Sequence, residues 1–402
     1  MAESITVEQT SDAVLDAARP QQKNDLADLL RRLAEKSGRS LTSVIGDYAR
    51  TAFGPGKLSF DEYLSLGLYD TARYAGADLK SFVGLKAMRE IWWTANFRLE
   101  FFDVIRNKVT ATALLEAHGF PVIPISAVFC TTTGYESAKC LNSVASLRRY
   151  LTDPAHYPLF GKPENGFQSL GSASFQSYDV GRGVLVGWDG RTLPLDRLVD
   201  DITGHYSQGY LFQPRLSPHA DTKAICGDRL ATVRVVTVSR DGGPGVLRVS
   251  EKIPGGANIA DNFWRAGNLV VQVDPSTGRR GRVISGTGFE HREHTHHPDT
   301  DAAITGTVIP NWETVRDLAL EGARLFKESA LIGWDIAPVD GGAVIVDVNV
   351  TPDLMLPQLT DAKGILDDDF RAFLKERRQA AKHWVKHVRK TDTDSYRPSY
   401  KN

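Results

Sequence analysis

The sequence predicts an α+β fold with a helical lobe at its N-terminal side, and three observations carry that prediction. A helix-period apolar pattern runs through the first hundred residues, short Val- and Ile-rich strands dominate from about residue 120, and an apolar hairpin bearing acidic residues occupies 333–350. Hairpins among the strands argue for α+β lobes over one doubly wound sheet.

At 402 residues the chain exceeds the usual single-domain size, so several packed subdomains are expected. Residues 1–22 are polar and aperiodic, a flexible N-terminus. A helical lobe over 23–105 follows, with Leu26, Leu29, Leu30 and Leu33 on one helix face, Leu41, Val44, Ile45 and Tyr48 on the next, and a helical pattern across 60–69. The texture changes near Asn107. KVTATALLEAHG reads as a helix closed by Gly119 and PVIPISAVFC as a Pro-bounded strand, opening a first lobe over 106–208. A second lobe over 209–360 holds strands at 210–213, 230–238, 246–252 and 269–273, a helix at 312–326 and the hairpin. A basic amphipathic helix at about 367–390 and a tail fill 361–402.

The formal net charge of −1, with 24% charged and 42% hydrophobic residues, fits an ordinary enzyme and gives no basis for nucleic-acid binding. Cys130, Cys140 and Cys226 form no CxxC pair, so neither a disulfide framework nor a zinc ribbon is implied, and a reducing compartment fits. The N-terminus has no apolar core segment and no run of about 18 apolar residues occurs, so a cytoplasmic protein without a membrane span is expected. Walker A and GxGxxG patterns are both missing, which excludes P-loop and Rossmann schemes for nucleotide binding.

The hairpin GWDIAPVDGGAVIVDVNV carries the sharpest signal. If Asp340, Gly341 and Gly342 form its loop, Val339 faces Ala343, and stepping outward by pairs sets Asp335 opposite Asp347 with Asn349 on the same face. A two-residue loop shifts that register by half a step. Two carboxylates and an amide oxygen on a strand pair of Ile, Val and Ala are hard ligands suited to Mg²⁺, with Mn²⁺ as an alternative. Burying such acids is costly, so a metal or a set of cationic side chains must stand beside them. The plain alternative is an exposed face with solvated acids.

In YPLFGKPENGFQSLGSASF, Lys162 ends an apolar strand and leads into a loop carrying Gly166 and Gly171. A lysine is a compact charge for phosphate, and a Gly/Ser loop brings backbone N–H groups close to an anion. Taken alone, Lys162 fits a solvated strand end equally well. Lys108 opens a helix and could direct its ammonium at the same anion. Arg234 interrupts LATVRVVTV on the face of Thr232 and Val236, where a cation needs an anionic partner, whether phosphate or a structural acid. Leu211, Phe212 and Gln213 form an apolar strand ending at Pro214, whose backbone could read an adenine edge.

As an ordered set, Asn107-Lys108 with ALLEAHGFPV, Phe160-Gly161-Lys162-Pro163, TVRVVTV, Asp261-Asn262-Phe263, HPDT, GWDIA and VDVNVTPD resemble the ATP-grasp superfamily, more closely its sugar-transfer-associated members related to α-L-glutamate ligases. The resemblance implies an ATP-grasp fold, in which two α+β lobes hold ATP between antiparallel sheets. It also implies a ligase that uses Mg-ATP to turn a carboxylate into an acyl phosphate, then joins it to an amine or thiol. On that resemblance Lys108 and Lys162 hold phosphates, Leu211–Gln213 are the adenine hinge, and Arg234 contacts the transferring phosphate. Asp335, Asp347 and Asn349 bind the metal, while Lys252, Asp261 and Asn262 belong to the substrate side. The substrates implied are small molecules in cell-surface polysaccharide, peptide or natural-product biosynthesis, and a homodimer is compatible with the family.

Gln213 and Asp347 stand where many members have glutamate, and Trp264-Arg265-Ala266-Gly267 replaces a paired glycine after Phe263. Two further functions fit the same residues: an ATP-dependent phosphotransferase, or a non-catalytic nucleotide-binding partner. HREHTHHP, with His291, His294, His296 and His297, lacks the spacing of a zinc site and reads as a polar loop before HPDT. The C-terminal KHWVKHVRK reads as a solvated basic helix end.

Overall fold

Side-chain caps set where three of the N-terminal helices begin. In the computed structural model, which describes residues 26–132, 139–164 and 171–388, α1 (Leu26–Ser37) is followed by α2 (Leu41–Ala52), capped by Ser40, and α3 (Phe60–Ser65), started by a reciprocal Ser59–Glu62 capping box. The periodic pattern overshoots here: the helix stops at Ser65 because Gly67 turns the chain with φ +69°. Helices α4 (Leu85–Ala95), α5 (Leu99–Arg106) and α6 (Lys108–Ala117) follow, and Asn107 caps α6 by accepting from Thr110 N–H at 2.9 Å.

Among the described residues, two seven-stranded sheets make the rest of the framework. The first contains β1 (Ala127–Phe129), β2 (Cys140–Leu141), β3 (Leu159–Pro163), β4 (Ala173–Asp179), β5 (Val184–Gly187), β6 (Thr192–Pro194) and β7 (Tyr210–Pro214), in the order β2-β1-β7-β3-β4-β5-β6. Helices α7 (Val144–Thr152) and α8 (Leu195–His205) bury Leu147, Leu151, Leu198 and Ile202 in one core with Phe175 and Phe212. After α9 (Ala220–Cys226), the second sheet comprises β8 (Thr232–Arg240), β9 (Gly243–Ile253), β10 (Leu269–Val273), β11 (Arg280–Ser285), β12 (Arg292–His294), β13 (Leu331–Val339) and β14 (Gly342–Asn349). It is antiparallel throughout, ordered β12-β11-β10-β9-β8-β13-β14, and α10 (Trp312–Leu325), α11 (Met355–Asp361) and α12 (Asp368–His383) pack around it.

Two sequence expectations change. The strand at 210–213, placed at the head of the second lobe, is β7 inside the first sheet, so that sheet ends at Pro214 and not before residue 209. Most of PVIPIS is not a strand. Ile345 N–H donates to Pro121 O at 2.9 Å and Val122 bridges Ile345, so this segment covers the outer edge of β14. The helical lobe packs on the second sheet: Leu33, Phe82 and Ile91 share a core with Val236, Val238 and Ile284 of that sheet and Phe370 and Phe373 of α12.

Alternation gives the second sheet two different faces. Val233, Val235, Ile332, Trp334 and Ile336 pack under α10. On the opposite face of β8, Val236 and Val238 lie beneath the helical segment, whereas Thr232 and Arg234 form a polar end. Close packing under α10 depends on Gly322, where an added Cβ would meet the Trp334 ring at 2.4 Å. Gly322→Val is expected to lower unfolding stability by about 1–3 kcal/mol through overpacking, as measured by urea denaturation.

Candidate active site

The hairpin reaches its predicted pairing by an unpredicted route. Its loop has two residues, Asp340 and Gly341, since Val339 pairs with Gly342, and that register alone would set Asp335 opposite Val346. A β-bulge takes up Val346, so beyond it Asp335 pairs with Asp347 and Gly333 with Asn349. The two acids and the amide therefore share the polar face, next to Arg234, which pairs with Asp335 from β8.

What stands beside these acids is a set of cations. Arg234 grips Asp335 with both arms of its fork, Nε to Oδ1 at 2.6 Å and Nη2 to Oδ2 at 2.8 Å, and Lys252 Nζ lies 3.2 Å from the same Oδ1. All three side chains are buried. Burial pushes the Asp335 carboxyl up, but Arg234 and Lys252 outweigh it and hold the pKa well below the usual carboxylate range. Burial likewise opposes the Arg234 charge, and Asp335 overcomes it. Lys252 also reaches Asp261 at 3.4 Å, and Thr232 Oγ1 donates to the same Asp261 oxygen.

Two lysines come from the other side. Lys108, at the first turn of α6, places Nζ 3.5 Å from Asp347. Lys162 lies within β3, one residue before its end, and its Nζ donates to the carbonyl of the bulged Val346 at 3.3 Å. Desolvation pushes the Lys162 ammonium below the usual lysine range; Asp347 partly offsets this and Lys108 adds to it. A desolvated ammonium whose hydrogen bond goes to a carbonyl is suited to an incoming anion such as phosphate. Glu164 is bonded to Asn107, the cap of α6, tying β3 to the helix that carries Lys108.

The remaining sequence candidates are placed as follows. Gly166 lies outside the described residues. Gly171 has φ +74°, its carbonyl accepts from Tyr210 Oη at 2.9 Å, and a Cβ there would strike Tyr206; it is packed into the first lobe. Leu211 and Phe212 have strand neighbours on both sides, β1 and β3, and the Gln213 amide donates to Ile123 O at 2.9 Å. The backbones of Leu211 and Phe212 are interior to the sheet, between β1 and β3, whereas Gln213 is paired with Phe160 of β3. Asn262 turns its own loop, its Oδ1 accepting from Trp264 N–H at 3.2 Å.

Several functional neighbours were not visible beforehand. The Val346 carbonyl faces Lys162 only because of the bulge. Asp353, within the VTPD run, accepts from Trp264 Nε1 at 2.8 Å and lies close enough to favour the Arg234 charge. The four histidines have separate partners: His291 meets Arg73, His294 meets Ser285, His296 meets Thr295, and His297 meets Pro254 O. Burial, then Arg73, pushes His291 down to about 4.

The donor set fits a hard cation in part. Asp347 and Asn349 are adjacent on one face, and Mg²⁺ typically takes one or two carboxylates plus substrate phosphates. Asp335 is committed to Arg234 and Lys252, and among the described residues no group of three or more His, Cys, Asp or Glu is arranged to hold a metal. Among the described residues, no helix is long and apolar enough to cross a membrane.

Residues 201–371 match the family described as sugar-transfer associated ATP-grasp. No curated protein matches the sequence. Similar solved structures include the ATP-grasp ligase PsnB complexed with minimal precursor, at 14% identity over 69% of this chain and 62% of that one, TM-score 0.36. The D-alanine-D-alanine ligase from Coxiella burnetii is 11% identical over 72% of this chain and 62% of its own, TM-score 0.40. An L-amino acid ligase from Bacillus licheniformis is 12% identical over 64% of this chain and 43% of its own, TM-score 0.31. The chain thus spans 62% of the length of the first two. It has the α+β ATP-grasp fold, and its residues 201–371 match the sugar-transfer associated ATP-grasp family.

Proposed function

We propose that the protein is an ATP- and Mg-dependent ligase that activates a small-molecule carboxylate as an acyl phosphate and joins it to an amine or thiol. The observation that carries this reading is the convergence of Lys108 and Lys162 on the acidic hairpin, with the Lys162 ammonium desolvated beside the Val346 carbonyl. Lys108 and Lys162 hold the nucleotide phosphates, and Asp347 and Asn349 hold the metal, to which Asp335 contributes only if Arg234 releases an oxygen. Mg²⁺, when bound, neutralises phosphate charge and orients the phosphoryl group.

Chemistry at this site is positioning and charge neutralisation. A carboxylate oxygen attacks the γ-phosphorus, the bond to the bridging oxygen breaks, and ADP leaves. Arg234, held rigid by Asp335, and Lys252 face the negative charge on the phosphoryl oxygens. The amine or thiol then attacks the acyl carbon, loses its proton, and expels phosphate.

The test is a screen of candidate acids with Mg-ATP and hydroxylamine as a surrogate amine, scored by mass spectrometry. A ligase yields a hydroxamate of one acid together with ADP and free phosphate. A stable phosphoester with neither hydroxamate nor free phosphate would replace this reading with a phosphotransferase.

A further inference from the structure

The HPDT run, His297 to Thr300, takes no part in the chemistry above, yet it closes on the loop that carries Asp261. His297 is 1% exposed. Its Nδ1 accepts from Asp299 N–H at 3.2 Å, which fixes the tautomer and leaves Nε2–H to donate to Pro254 O at 2.9 Å. The Asp299 carboxylate accepts from Gly256 N–H at 2.8 Å and pairs with Arg229 at 3.1 Å, while Arg229 donates to Gly256 O at 2.8 Å. Two chain segments, 297–299 and the one carrying Arg229, thus hold the N–H and C=O of Gly256 and the Pro254 carbonyl two residues before it.

From that clamp the chain runs through a second fixed point. Buried Asn268 accepts from Gly255 N–H at 2.9 Å and donates to Ala260 O at 2.8 Å and Asn262 O at 2.7 Å. The loop between these anchors delivers Asp261 to Lys252 and Thr232, and Trp264 to Asp353. Without the clamp, the loop that sets Asp261 against Lys252 and Thr232 would be left to its internal Asn258 and Asn268 amides. Small misplacements of such groups cost large factors in rate.

We infer that His297, Asp299 and Arg229 are positioning residues which, through the 254–268 loop, fix Asp261 and Trp264 and thereby the placement of Lys252 beside Arg234. This rests on the proposed ligase reading for its kinetic consequence but not for its structural one.

The experiment compares wild type with His297→Leu, His297→Gln and Asp299→Asn. Gln keeps one donor and one acceptor at nearly the imidazole spacing, whereas Leu keeps only bulk. Fluorine NMR of protein labelled with fluorotryptophan reports Trp264 among the seven tryptophans, its signal assigned by Trp264→Phe. His297→Leu and Asp299→Asn are expected to shift or broaden that signal while the fold is kept, and to reduce turnover at least about tenfold with Mg-ATP affinity within about twofold of wild type. His297→Gln is expected to restore most of both. If His297→Leu does not fold, Asp299→Asn, which keeps the side-chain volume, carries the test. An unmoved Trp264 signal in folded Asp299→Asn and His297→Leu overturns the proposal, as does wild-type turnover in either. Failure of wild type to bind Mg-ATP would count against the ligase reading only, and the Trp264 signal would still decide the clamp.

Discussion

Asp335→Asn is expected to cost about 3–5 kcal/mol of folding stability, because it leaves the buried Arg234 guanidinium and Lys252 ammonium facing an amide that cannot neutralise them. The same change is expected to abolish turnover, since Arg234 loses the acid that orients it. By contrast, Asp347→Asn removes the partner of a partly exposed pair with Lys108 and is expected to change stability by less than about 1 kcal/mol. Acid unfolding supplies an independent check. The folded-state pKa of Asp335 lies below its unfolded value, so its contribution is fully present above about pH 4 and is lost as pH falls through the folded value. The wild-type stability curve should therefore fall more steeply below about pH 4 than that of Asp335→Asn, a difference that urea denaturation at several pH values would reveal. Equal midpoints for the two proteins at neutral pH would mean that Asp335 does not hold the cations in solution.

Lys162→Ala is expected to weaken Mg-ATP binding by about a hundredfold, close to 3 kcal/mol, while leaving the fold intact. The reasoning is that the ammonium is already desolvated and gains in return a 3.3 Å contact with Val346 O and a partial offset from Asp347, so a phosphate would complete an interaction the protein supplies only in part. Removing it relieves the apoprotein of a buried charge and deprives the nucleotide of one. The unfolding temperature of the variant alone should thus be unchanged or higher, and its rise on adding millimolar Mg-ATP should largely disappear. Calorimetric affinities of wild type and variant within threefold of each other would remove Lys162 from the phosphate site.

How much of this was legible in the sequence differs from residue to residue. The facing of Asp335 and Asp347 follows from alternation, which is a local property, and the structure bears it out even though the loop is one residue shorter than supposed. The bulge that corrects the register lies beside Ile345, on which Pro121 and Val122 dock from a distant segment, and no local pattern announces either feature. The partner of Arg234 was left open between phosphate and an acid because choosing requires knowing that β8 and β13 are neighbours, a pairing of strands a hundred residues apart. The same ignorance put 210–213 in the wrong lobe, since a short apolar strand carries no mark of the sheet it joins. The His297 clamp was not legible, because its acceptor is the backbone carbonyl of Pro254.

The central claim is that a carboxylate oxygen of the substrate attacks the γ-phosphate. Its most direct test starts from the acid that the hydroxylamine screen selects, prepared with heavy oxygen in its carboxyl group and turned over with Mg-ATP and its nucleophile. Acyl-phosphate chemistry requires that one labelled oxygen leave with the phosphate when the amine or thiol displaces it. The account predicts inorganic phosphate carrying one heavy oxygen per turnover, and phosphate free of label would contradict it.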